Sequence, residues 1–65
     1  MTFYEKEMLL EIVSQIKTLQ EKGNKEDTLT FIDFSIINAE NSKCSNGLIN
    51  RLYLLKDYVD SDKKL

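Results

Sequence analysis

Proline, histidine and tryptophan are absent from this 65-residue chain, and it holds only one cysteine and two glycines. Each absence narrows the reading. Without proline, nothing in the chain forbids long helices, and two glycines are few for a loop-rich fold. A single cysteine, Cys44, cannot close a disulfide within the chain. With no histidine beside it, a zinc site of the usual Cys/His ligands cannot be assembled, and the commonest general base is missing. No apolar run reaches the ~18 residues that a membrane span needs. Glu5, Lys6 and Glu7 interrupt the first ten residues, so no secretory leader is expected, and a lone thiol fits a cytoplasmic protein.

An excess of positive charge is also missing. A formal net charge of −2 argues against an ordinary nucleic-acid binder, which carries a basic excess. With 42% hydrophobic residues, the chain has too much apolar material to remain disordered. Its length allows one domain, and a domain of this size buries only about 60% of its unfolded surface. Efficient helix packing or a partner must supply the rest of its stability.

What is present is mostly helical pattern. Thr2 and Glu5 have the spacing of a capping box, and Leu9, Ile12, Ile16 and Leu19 then recur on one helical face. Met8 and Val13 widen that stripe to an arc of about 140°. Gly23 stands where a left-handed residue ends such a helix, which predicts a first helix over residues 3–22. Farther on, Ser45 is a plausible N-cap, and Leu48, Leu52, Leu55 and Val59 repeat at helical spacing, predicting a helix over 46–59. Ile49, Tyr53, Leu54 and Tyr58 lie outside that stripe, more apolar surface than one neighbour covers. Residues 60–65 have the composition of a flexible tail.

The middle of the chain is ambiguous. Thr28–Ile37, TLTFIDFSII, has the β-branched and aromatic content of a strand. A strand between two helices would lack a partner within the chain and would have to pair between subunits. As a helix over 25–40, Leu29, Ile32, Ile36 and Ala39 form a stripe, and Asn24 with Glu26 and Asp27 supplies a cap and first-turn acids. Helix is the favoured reading. Phe31, Phe34 and Ile37 then spread beyond the stripe, so this helix needs cover on several sides.

Candidate chemistry is thin. Asp33 falls inside the apolar zone of the middle helix, so it must either pair with a nearby lysine or face a basic group on a partner. Cys44 follows Lys43 near a helix start, a setting that can lower a thiol pKa, but no base accompanies it. Glu7 and Glu11 are one turn apart on the polar face of the first helix, where solvated carboxylates are ordinary. No catalytic residue, cofactor site or metal site is assigned, and the chain is not expected to be an enzyme.

A DNA-binding alternative has a direct test. A helix-turn-helix would place Asn46, Asn50, Arg51 and Lys56 on its recognition helix, with Ala39 as the small residue before the turn. Asn38 and Ser42 occupy positions that want apolar side chains, and two basic groups are few for a major-groove reader.

These features predict an all-α, compact three-helix domain over residues 1–59, with the middle helix most buried and a homodimer expected. Small size, mild acidity and little chemistry are traits shared with small bacterial or phage regulators and inhibitors, an analogy of class only. The expected function is a non-enzymatic regulator that docks on a larger protein. The residues expected at the partner or dimer interface are Phe31, Asp33, Phe34, Ile37, Tyr53 and Tyr58, aromatic anchors being the usual interface residues. The alternatives are the DNA-binding regulator and a self-assembling structural protein.

Overall fold

A computed structural model describes all 65 residues and contains three helices and no strand. These are α1 (Phe3–Glu21), α2 (Lys25–Asn41) and α3 (Asn46–Asp60). Each boundary lies within one residue of that expected from the sequence. The segment Thr28–Ile37 is helical throughout.

Local chemistry explains the starts. The Glu5 amide donates to Thr2 Oγ1 at 3.1 Å while the Thr2 amide donates to Glu5 Oε1 at 2.9 Å, completing the capping box of α1. Asn24 Oδ1 accepts the Asp27 amide at 3.0 Å, and Glu26 and Asp27 place negative charge against the positive end of α2.

The strand-like composition of α2 is reconciled with a helix by its hydroxyls. Thr28 and Ser35 are both buried, and each donates to the carbonyl one turn back, Asn24 O at 2.8 Å and Phe31 O at 2.9 Å. A hydroxyl satisfied within its own helix is buried without an orphaned donor. Both can therefore line the core beside Ile32, Ile36 and Ala39.

All three helices end on a residue in the left-handed region: Gly23 (φ 76°), Lys43 (φ 55°) and Asp62 (φ 65°). After α2, the Lys43 amide donates to Glu40 O and the Cys44 amide to Ala39 O. After α3, the Asp62 amide donates to Val59 O and the Lys63 amide to Tyr58 O. These are Schellman closures, and only the first helix uses the glycine that such a closure favours.

The core joins Ile12 and Ile16 of α1, Ile32, Ile36 and Ala39 of α2, and Leu48, Leu52 and Val59 of α3. The middle helix has the most buried residues and packs on both neighbours, whereas α1 and α3 meet least. Salt bridges of Lys25 with Asp62 and of Asp33 with Lys56 show that α2 and α3 run antiparallel. No helix is long and apolar enough to cross a membrane.

Candidate protein-docking face

Three exposed apolar residues, Phe34, Ile37 and Tyr53, lie along the outer side of the α2–α3 pair. At its centre Lys56 Nζ lies 2.7 Å from Asp33 Oδ1, and both side chains are partly exposed. The hydrogen bond and charge of Asp33 raise the pKa of Lys56 above its usual value, so the cation is held firmly at neutral pH. Asp33 thus has a partner in its own chain, the simpler of the two expectations for a carboxylate in an apolar zone.

Helix geometry places the neighbours of that pair. Ile37 is one turn beyond Asp33, and Tyr53 is one turn before Lys56. Because α2 and α3 are antiparallel, the two reach the same level of the bundle. Phe34 flanks Ile37 on the solvent side, and Ile49 stands one turn before Tyr53, half-buried against the core. Phe34 is 62% exposed, Ile37 49% and Tyr53 46%, large fractions for such side chains. An ion pair rimmed by Phe34, Ile37 and Tyr53 is the result.

The remaining expected contact residues are elsewhere. Phe31 is half-buried and packs against the core. Tyr58 is five residues after Tyr53, which turns it about 140° around α3. Its hydroxyl donates to Lys64 O at 3.3 Å, and Lys63 Nζ lies 5.5 Å from its ring centroid. The structure therefore brings together Asp33, Phe34, Ile37 and Tyr53, and separates Phe31 and Tyr58 from them.

The four residues considered for nucleic acid do not form one stripe. Asn46, Asn50 and Arg51 are exposed, while Lys56 is committed to Asp33. Arg51 lies about 140° from Lys56 around α3 and donates to Gly47 O at 3.1 Å in its own helix. No group of three His, Cys, Asp or Glu side chains is placed to share a metal ion.

Leu54, already outside the apolar stripe of α3, is exposed, and so are three residues of α1 that its sequence pattern did not single out: Phe3, Tyr4 and Leu10. Helical phase could have found them, since Phe3 and Leu10 lie about 160–180° from Ile12. The second role of Glu5 was likewise not singled out by the sequence pattern. Its carboxylate reaches across to the start of α3, where the Ser45 amide donates at 2.7 Å and the Ser45 hydroxyl at 3.1 Å. Ser45 consequently provides no side-chain cap for α3. The Ser45 and Thr2 amides, in that order, hold the Glu5 pKa down to about 2 against the opposing effect of its burial.

Fold and surface together define a small three-helix bundle with an apolar two-helix face. Comparison with family models, with curated proteins and with solved structures finds no match to this chain.

Proposed function

We propose that the chain is a small non-enzymatic regulator or inhibitor that docks on a larger protein through the α2–α3 face. The observation that carries this reading is the exposure of Phe34, Ile37 and Tyr53 around the Asp33–Lys56 pair. Exposed aromatic and branched side chains grouped on a rigid support match the anchors of protein interfaces, and an ion pair among them gives such an interface its register. The partner on this reading presents an apolar surface with polar groups placed to meet Asp33 and Lys56.

The test is recovery of partners from the native host on immobilised chain, compared with Phe34→Ser and Ile37→Ser. Both variants are expected to keep the helical circular dichroism spectrum and to lose a specifically retained protein, which Leu54→Ser should still hold. Three results would overturn the reading. The first is retention unchanged by Phe34→Ser and Ile37→Ser. The second is a dimer at micromolar concentration that Phe34→Ser converts to monomer, which assigns the face to self-association. The third is salt-sensitive duplex DNA binding that depends on Arg51.

A further inference from the structure

The bundle is tied at its two ends by different means. At one end, the partly buried Glu5 carboxylate joins the starts of α1 and α3. At the other, residues Ser61–Leu65 turn back at Asp62 and lie along the end of α1. Gln20 reads this segment as a strand would: its Nε2 donates to Lys63 O at 2.9 Å, and its Oε1 accepts the Leu65 amide at 3.0 Å. Lys25 holds the approach, with Nζ 2.8 Å from Asp60 O and 2.9 Å from Asp62 Oδ1. Beneath the segment is a cleft of about 140 Å³ whose lining includes Thr28 and Val59, both buried.

We propose that Ser61–Leu65 is a releasable strap that holds the last turns of α1 closed over this end of the core. Three features support a device that opens here first. Direct contact between α1 and α3 is the sparsest in the bundle, so at this end the strap, rather than the third helix itself, covers that side of α1. The side-chain bonds that Gln20, Tyr58 and Lys25 make to the strap are exposed, so water competes for each partner. The turn is made by Asp62 in the left-handed region, which aspartate enters more readily than most residues but less readily than glycine, so the turn adds little hold of its own. Lifting the strap frees Gln20 and uncovers the layer around Val59, while α2 and α3 remain paired through Lys56 and Asp33.

Native-state hydrogen exchange on the full chain tests this. In Gln20→Leu, which removes both backbone contacts, the amides of Thr18–Glu21 should exchange about tenfold faster, with those of Ile32–Ile36 and Leu52 unchanged. Gln20→Glu retains the acceptor for Leu65 but not the donor to Lys63, and should give a smaller increase at the same amides. Unchanged rates at Thr18–Glu21 in Gln20→Leu would overturn the proposal. So would an equal acceleration in all three helices, because that marks a global loss of stability rather than a local opening.

Discussion

Helices α2 and α3 are joined along their length, whereas α1 is joined to α3 chiefly at its ends. Between α2 and α3 the apolar layers of Ile32, Ile36 and Ala39 against Leu48, Leu52 and Val59 are reinforced by Asp33–Lys56 and by the bond of Lys25 to Asp60 O. The first helix instead rests Ile12 and Ile16 on the common core, and is tied by Glu5 to the cap of α3 at one end and by Gln20 to the segment after α3 at the other. The difference teaches that α2 makes the bundle one unit, and that polar ties fix where α1 sits. The candidate docking face belongs to the pair joined along its length, so its side chains rest on the better-supported part of the molecule.

The largest expected effect comes from breaking the element common to both arrangements. Ile32 is fully buried in the middle helix, and Ile32→Ala should cost about 2–5 kcal/mol in urea denaturation. That is comparable to the whole stability expected of so small a domain, roughly 3–10 kcal/mol at 0.05–0.15 kcal/mol per residue. The total helical circular dichroism should still be lost in a single cooperative transition.

The next test separates α1 from the pair. Glu5 has a folded pKa of about 2, below its ordinary 4.5, so the folded state binds its proton less readily than the unfolded state. Its contribution to stability is therefore complete above about pH 4.5 and is lost as pH falls toward 2. Thermal melts of the native chain should show that acid limb. Glu5→Gln should lower Tm at pH 7, because its amide nitrogen takes the place of one accepting oxygen and faces either the Ser45 amide or the Thr2 amide, and should flatten the acid limb.

A smaller effect of opposite sign is expected at the α2–α3 turn. Lys43→Gly relieves a left-handed lysine and should raise stability by about 1 kcal/mol in the same denaturation assay. The smallest effect belongs to the docking face. Phe34→Ser, at an exposed position, should change unfolding free energy by no more than about 0.5 kcal/mol. A much larger loss would show Phe34 to be a packing residue and would weaken its role as an anchor.

Much of this architecture was legible in the sequence, and the exceptions share a physical character. The stripe of Leu9, Ile12, Ile16 and Leu19, the Thr2–Glu5 box and Gly23 are local signals that act within a turn or two. Even so, Leu9 and Leu19 are only half-buried. Thr28 and Ser35 were hidden as core residues because a hydroxyl looks polar until its bond to the preceding turn is seen. Lys43 and Asp62 carry no glycine to announce the turn that follows. The grouping of Asp33, Phe34, Ile37 and Tyr53 depended on the pairing of α2 with α3, which fixes what lies across from each residue. Phe31 and Tyr58 share the composition of that group but not its side of the bundle.

The bond between Glu5 and Ser45 spans 40 residues of chain, and that between Leu65 and Gln20 spans 45. Most other hydrogen bonds close a single turn, and a fold built from such local contacts condenses rapidly. Closing a 40-residue loop costs conformational entropy that neighbouring helical turns avoid. The two ties should therefore form after the folding transition state, once the apolar layers have already met. Substitutions at Glu5 or Gln20 should then accelerate unfolding in stopped-flow experiments while leaving the folding rate nearly unchanged. In that event, the same few polar contacts that seat α1 govern the lifetime of the folded molecule rather than the speed of its formation.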